Sequence, residues 1–215
     1  MAETQACDIW NAAAQTDGEL CPGKGLVLPF WSTYRIPVLT AGTVATGDYK
    51  LFQMALDDQA GQGFVTGPIR RWQTNMKKQG FWDYDVRIRA LGLRIGDKTA
   101  KFGVVGGRAY LEALYRMTVV QIMRGQDKVY DLGNLWDWVM GPDEAPFLDA
   151  SGAPAAQTYL QGACPRGAQP IPPLDFKKEE KFSVVLLVGE PITVMASGPS
   201  TFDLEARLLV EPLCG

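Results

Sequence analysis

Two pairs of neighbouring carboxylates are the residues of this chain whose types could support chemistry. Asp57-Asp58 and Asp143-Glu144 lie in segments rich in glycine or proline. Such pairs could hold a calcium ion through oxygen ligands, or serve as the acid and base of a glycosidase if they faced each other across a cleft. Neighbouring acids in such segments are more often simply solvated. A hydrolase built on these four carboxylates is therefore our least favoured hypothesis.

The sequence contains no histidine in its 215 residues. Histidine is the commonest general base, the usual zinc ligand and the partner of catalytic serine and cysteine residues. The four cysteines, Cys7, Cys21, Cys164 and Cys214, fit no zinc-binding spacing, and in a cytoplasmic protein free thiols are favoured over bridges. We therefore expect no catalytic residue, no cofactor and no metal ion.

The segment FGVVGGRAYLEAL has a strand, glycines and a helix in the order that a phosphate-binding turn would require. Its glycines follow the pattern G-x-x-G-G instead of G-x-G-x-x-G, and no alternation of strands and helices surrounds it. We expect a tight strand-to-helix turn without a ligand.

Four tryptophans, Trp72, Trp82, Trp136 and Trp138, could stack on sugar rings. Several adjoin apolar runs, so we expect them to anchor the core or an interface. A sugar-binding β-sandwich remains open as an alternative function, with the tryptophans as exposed stacking platforms.

Composition favours a folded domain without a strong charge. The chain is 47% hydrophobic and 21% charged, with a net charge of -3. That balance argues against disorder and gives no electrostatic reason to expect nucleic-acid binding. The first twenty residues show neither the apolar run of a signal peptide nor a basic arm, and no stretch reaches the roughly 20 apolar residues of a membrane span. We expect synthesis and folding in the cytoplasm.

The stretch FWDYDVRIRALGLRI, residues 82 to 95 with Phe81 before it, predicts a long antiparallel strand that contains a defect. Apolar residues occupy even positions up to Ala90 and odd positions from Leu91 onwards. Gly92 lies at this change of phase, so we predict a β-bulge there. A strand that changes phase in this way is typical of a sandwich or barrel.

The rest of the chain predicts more strands and one short helix. Residues 1 to 30 read as an irregular lead-in, followed by alternation at Tyr34, Ile36 and Val38 and by a second run from Tyr49 to Met54. RAYLEALYRM predicts a helix whose apolar face holds Ala109, Tyr110, Ala113, Leu114 and Met117. A hairpin is predicted at 118 to 132, with its turn at Gly125-Gln126-Asp127. Two further strands are predicted, one at 181 to 188 with both faces buried and one at 202 to 210 with one face buried.

Residues 141 to 174 hold seven of the chain's fourteen prolines, together with many alanines and glycines and little periodicity. We predict a long surface loop, of the kind that makes contacts or carries function. The preceding segment NLWDWVMGP closes the hairpin with two tryptophans and is predicted to cap the core.

Four segments in this order resemble jelly-roll capsid proteins of tailless icosahedral bacteriophages and their metagenomic relatives. They are GPIRRWQTNMKKQGFWDYDVRIRALGLRI, the helix followed by TVVQIMRGQDKVYDLGNLWDWVMGP, the proline-led IPPLDFKKEEKFSVVLL, and FDLEARLLVEPL. The resemblance covers roughly residues 64 to 213, and its motifs are structural patterns, not catalytic signatures. Residues 1 to 60 carry no family mark.

The resemblance implies an all-β, antiparallel jelly-roll sandwich over residues 1 to 215 that builds a virus shell and catalyses no reaction. A single jelly roll is favoured, because sixteen strands with their connections would consume nearly the whole chain. The implied partners are copies of itself in capsomers, other virion proteins and, in some relatives, an internal membrane, with no sequence-specific nucleic-acid binding. The implied location is the virion, assembled in the host cytoplasm.

Contacts between subunits are predicted in the 141 to 174 loop and the segment before it. The candidate contact residues are Trp136, Trp138, Pro142, Phe147 and Tyr159. The alternative function is a carbohydrate-binding β-sandwich such as a phage spike or receptor-binding module.

Overall fold

The structure is a computed structural model, and it describes residues 27–39, 43–56, 69–71, 73–96, 107–126, 128–139, 142–143, 160–161, 168–193 and 201–213. The strands are β1 (Leu28–Leu39), β2 (Thr43–Val44), β3 (Gly47–Leu51), β4 (Val86–Ile95), β5 (Thr118–Arg124), β6 (Lys128–Asn134), β7 (Pro142–Asp143), β8 (Leu160–Gln161), β9 (Gln169–Phe176), β10 (Phe182–Val188), β11 (Ile192–Thr193) and β12 (Thr201–Pro212). Helix α1 spans Gly107–Met117, and a 3₁₀ turn spans Leu135–Trp138.

Two antiparallel sheets dominate the described part of the chain. The larger has the order β11-β2-β1-β12-β4-β9 and the smaller the order β3-β10-β5-β6, while β7 and β8 pair separately. Neighbours within each sheet are mostly distant in sequence, so the chain passes repeatedly between the sheets. The predicted all-β, antiparallel class is confirmed.

The core lies between the two sheets and follows the alternation in the sequence. In β12, the even-numbered residues from 202 to 210 are buried, and the odd-numbered residues are partly exposed. In β10, every residue except Leu187 is buried, so the predicted burial on both faces is confirmed. Leu208 of β12 and Val184 of β10 belong to the same core cluster, which joins the two sheets.

The predicted bulge is present in β4. Ile88 pairs with Val210 and Ala90 with Leu209, so that Arg89 between them has no partner on β12. The pairing with β9 breaks at the same place. Arg89 is therefore the inserted residue, and because of it Val86 and Ile88 share the inner face with Leu91, Leu93 and Ile95.

The predicted position of the bulge was wrong. Gly92 pairs in regular register with Arg207, three residues after the insertion. The sequence misleads because Ala90 continues the even apolar series although it lies opposite Leu209 on the outer face. A small apolar side chain fits either face, so the change of phase is first visible only at Leu91.

Helix α1 is confirmed, and its predicted face is partly wrong. Its buried residues are Tyr110, Leu111, Leu114 and Tyr115. Ala109 and Met117, predicted to lie on the buried face, are exposed, Met117 by 38%. The larger rings and leucines bury more apolar area than alanine does, so the helix turns that side toward the core.

The prediction of a long loop at 141 to 174 is wrong for its last six residues. Residues 169 to 174 belong to β9, which forms the edge of the larger sheet beside β4. Pro170, Pro172 and Pro173 lack the N–H that a further strand would require, so a proline-rich sequence suits this position. The composition that suggested a loop is also that of a protected edge strand.

Other predicted boundaries need smaller corrections. The strand predicted at 82 to 95 begins at Val86. The carboxylate of Asp85, just before it, accepts hydrogen bonds from the Lys178 N–H and the Lys177 ammonium. The predicted lead-in ends by Leu28, where β1 starts, and residues 1 to 26 lie outside the described part. The run predicted from Tyr49 ends at Leu51, because Phe52 has φ of 65°.

The predicted hairpin is confirmed as β5 and β6, with Arg124 opposite Lys128 across the turn. The strands predicted at 181 to 188 and 202 to 210 are confirmed as β10 and β12, and β12 is longer by three residues.

Candidate functional site

Trp138, one of the predicted contact residues, packs in the core of its own chain. Its side chain is 7% exposed, and its indole N–H donates a hydrogen bond of 2.9 Å to the carbonyl of Leu132. It follows Leu135, also buried, in the 3₁₀ turn that leaves β6. This turn caps the core, as predicted, and little of Trp138 remains for contact with another molecule.

Trp136, on the same turn, is half-buried. The ring of Tyr115 meets it edge-on with centroids 5.9 Å apart, and the guanidinium of Arg116 lies over it at 5.6 Å. Burial raises the pKa of the Tyr115 hydroxyl well above its usual value. Since Arg116 covers a ring face by a cation–π contact, that face is not a free platform for a sugar.

The other predicted contact residues are only partly described. Pro142 lies in β7 and pairs with Gln161 of β8. Phe147 and Tyr159 lie outside the described residues. The structure therefore leaves untested whether the five predicted contact residues form one surface.

The carboxylates considered for catalysis lie mostly outside the described residues. Asp57, Asp58 and Glu144 lie outside the described residues, and Asp143 is described only by its backbone pairing with Leu160. Among the residues that the structure describes, no three acidic or cysteine side chains converge as a metal site would require. Trp72 and the four cysteines also lie outside the described part.

The outer side of the larger sheet carries a ladder of arginine–carboxylate pairs, which we call the charged face. The pairs are Arg35 with Asp203, Arg87 with Asp175, Arg89 with Glu211, and Arg207 with Glu205. Two pairs are bidentate, with bonds of 2.7 and 2.9 Å for Arg35 and of 2.6 and 2.8 Å for Arg87. Such forks hold neighbouring strands in a fixed relation.

These pairs shift the titration of their members. The hydrogen bond from Arg87 holds the pKa of the Asp175 carboxyl below its usual value. The hydrogen bonds from Lys177 and from the Lys178 N–H lower the pKa of Asp85 in the same way. Both carboxylates keep part of their surface exposed, so each pair contributes little stability by itself.

A shallow depression of about 230 Å³ opens on the charged face. It is lined by Thr33, Arg94, Gly96, Asp203 and Glu205. Arg94 makes no ion pair with another described residue, while Asp203 and Glu205 are engaged by the arginines of the ladder. No nucleophile with an adjacent base lines this depression, so it offers no arrangement for acid–base or covalent catalysis.

The segment Thr74–Met76 seals β1 near Pro29 and Trp31, on the side away from β12, a role that the sequence did not reveal. The Asn75 amide donates to the carbonyl of Pro29 at 2.9 Å, and its oxygen accepts from the N–H of Trp31 at 2.9 Å. The Thr74 hydroxyl donates to the carbonyl of Trp31 at 3.0 Å. Together with the backbone bond of 2.8 Å from the Thr33 N–H to the Gln73 carbonyl, these side chains take the place of a neighbouring strand. The only sequence signal for this role was the pair Thr74-Asn75, whose side chains can hydrogen-bond to the backbone. Such residues are equally typical of an ordinary turn.

No helix of the described residues is both long and apolar enough to cross a membrane. Comparison with known proteins identifies no relative: no family model, no curated protein and no solved structure matches the chain.

Proposed function

We propose that the two sheets form a single jelly roll. Eight strands have five or more residues, and numbered along the chain they pair first with eighth, second with seventh, third with sixth and fourth with fifth. These are β1 with β12, β3 with β10, β4 with β9, and β5 with β6. A long hairpin folded over on itself produces this nested pairing, and eight strands in two sheets are typical of a jelly roll.

We infer that the chain is a structural virion protein, the major capsid protein of an icosahedral phage. The nested strand pairing is the observation that carries the proposal, because it agrees with the fold implied by the sequence resemblance. A jelly roll alone would not indicate function, since one fold hosts many activities. The specific support comes from agreement between the order of motifs in the sequence and the order of strands in the sheets.

The physical character of the subunit supports the same role. A shell repeats each contact many times, so its subunit must present the same surface in every copy. Three ion pairs of the charged face join neighbouring strands of one sheet, and the core cluster joins that sheet to the other. Partners on this proposal are copies of the chain in capsomers and other virion proteins, in a virion assembled in the host cytoplasm.

Electron microscopy and light scattering of the purified chain test the proposal. We expect capsomers or closed particles to form as the protein concentration rises. The control variant is Val184→Asp, which places a charge at a fully buried core position and should abolish both folding and particles. Particles that persist in this variant would be aggregates. A wild-type chain that stays monomeric at every concentration would contradict the shell-building role.

A further inference from the structure

One segment of the chain carries positive charge only. Residues 59 to 82 contain no acidic residue, and their cations are Arg70, Arg71, Lys77 and Lys78. Since the net charge of the whole chain is -3, this segment of +4 leaves -7 on the remaining residues. Salt screens charges that are more than about 8 Å apart. A ligand beside this segment therefore meets a local excess of cations that the net charge conceals.

The fold directs these charges outward. All four cations are exposed, whereas Gln73, Thr74 and Met76, which lie between them in the chain, are at most 3% exposed. We call residues 70 to 81 the basic ridge. Its buried side chains pack against the body of the protein, so the ridge presents mainly cations to the solvent.

The backbone of the basic ridge is fixed to both sheets. The carbonyl of Gln73 accepts a hydrogen bond of 2.8 Å from the N–H of Thr33 in β1. The carbonyl of Gly80 accepts another of 2.8 Å from the N–H of Phe182 in β10. Lys181, next to Phe182, is exposed and adds a further cation at this end. Because this backbone is already ordered, binding at the ridge costs less conformational entropy than binding at a mobile segment.

Described carboxylates neutralise only one end of the ridge. Asp83 and Glu179 both form ion pairs with Lys78, at 3.2 and 3.5 Å. No other described carboxylate forms an ion pair with the remaining cations of the ridge, which are Arg70, Arg71 and Lys77. These three exposed side chains can therefore bind an anion without first breaking an ion pair to a described residue.

We propose that the basic ridge binds a strand of nucleic acid through its phosphates, without reading the base sequence. Arginine and lysine both hold phosphate oxygens, and such contacts supply nearly all of sequence-independent binding. No large hydrophobic residue in the described part of the ridge is exposed, so the ridge offers a protein partner no apolar centre for an interface. A membrane surface would press anionic headgroups against Asp83 and Glu179 as well, whereas a single strand can follow the ridge alone. The inference goes beyond the shell-building role and does not depend on it.

Fluorescence anisotropy of a labelled oligothymidylate, measured over a range of salt concentrations, tests the proposal. For the wild type, the logarithm of the binding constant should fall against the logarithm of the salt concentration with a slope of about -3, as four phosphate contacts to a single strand would give. Arg70→Gln/Lys77→Gln should halve that slope and weaken binding at low salt by roughly tenfold or more. Arg94→Gln/Arg116→Gln is the matched control, because it removes two exposed cations that lie on β4 and α1. We expect this control to bind as the wild type does.

Acetylation of lysines in the wild-type chain gives a second measurement that needs no variant. Bound oligothymidylate should protect Lys77 and Lys78 from the reagent but not Lys50, which is exposed on β3. Absence of binding at low salt, equal weakening in the two double variants, or unchanged reactivity of Lys77 and Lys78 would overturn the inference. Tighter binding to phosphatidylglycerol vesicles or to polyglutamate than to the oligonucleotide would also overturn it, and would assign the ridge to a membrane or to an acidic protein. The shell-building role stands or falls separately, because particle formation is measured without nucleic acid.

Discussion

The indole of Trp82 stacks on the ring of Phe182, with centroids 4.2 Å apart and 14° between the ring planes. Trp82 precedes β4 of the larger sheet, and Phe182 opens β10 of the smaller one. Phe30 meets the indole edge-on at 5.1 Å, while Phe52 and Phe176 lie 5.4 and 5.9 Å from Phe182. This aromatic cluster joins the two sheets at one end of the core.

Replacing Trp82 with alanine should lower the free energy of unfolding by about 3 to 5 kcal/mol, because it removes a fully buried ring and leaves a cavity. Denaturant unfolding followed by circular dichroism measures the change. Met117→Ala is the control and should change the free energy of unfolding by less than about 0.5 kcal/mol. Similar losses in the two variants would contradict the role of the stack.

Asn75→Ala should destabilise the chain by about 1 to 3 kcal/mol, since it leaves two backbone groups of β1 without partners. Hydrogen exchange should show faster exchange of the Trp31 amide in this variant. Lys77→Ala, two residues away and exposed, serves as the control. If the Trp31 amide exchanges at the same rate in both variants, Asn75 does not seal this edge.

Deleting Arg89 should cost less than about 2 kcal/mol, because the remaining residues of β4 then alternate regularly and keep their inner faces. Deleting Gly92 should instead turn Leu91 or Leu93 outward and cost several times more. Thermal unfolding of the two deletion variants compares them directly. A larger loss on deleting Arg89 would place the bulge elsewhere.

Stability should fall on acidification below about pH 4. The pKa values of Asp85 and Asp175 are lower in the folded chain than the ordinary value of about 3.9, so their stabilising contribution is present above that value and is lost as the pH falls through the folded pKa. Asp85→Asn and Asp175→Asn should each flatten the dependence of unfolding free energy on pH below about pH 4. Asp48→Asn is the control, because Asp48 is exposed and forms no ion pair with a described residue. An equal effect of all three variants would exclude these pairs as the cause.

Trp136→Ala should leave the fold intact, whereas Trp138→Ala should lower the free energy of unfolding by about 3 kcal/mol or more through loss of a buried ring and its hydrogen bond. A glycan array distinguishes the sugar-binding alternative. Specific glycan binding by the wild type that is lost in folded Trp136→Ala would favour that alternative over shell building.

Periodicity alone was sufficient to predict several elements. The alternation from Phe202 to Val210 predicted a strand with one buried face, and the glycine at position 125 marked the turn of the β5–β6 hairpin. These features depend on side-chain spacing along one strand and on local turn chemistry, so they need no knowledge of the partner strand. The bulge was predicted for the same reason, although at Gly92 instead of Arg89.

Only the tertiary structure decided which strands are neighbours in a sheet and which of their residues lie on its outer side. Nothing local to β1 indicates that Leu28–Leu39 pairs with Thr201–Pro212, or that Asn75 seals its other side. The prolines of residues 170 to 173 predicted a loop, and only the pairing of β9 with β4 identifies them as part of an edge strand. The sequence by itself determined where most of the long strands form and which side chains are apolar. Sheet order and the charged face arise from long-range packing, because backbone hydrogen bonds between strands carry no signature in the local sequence.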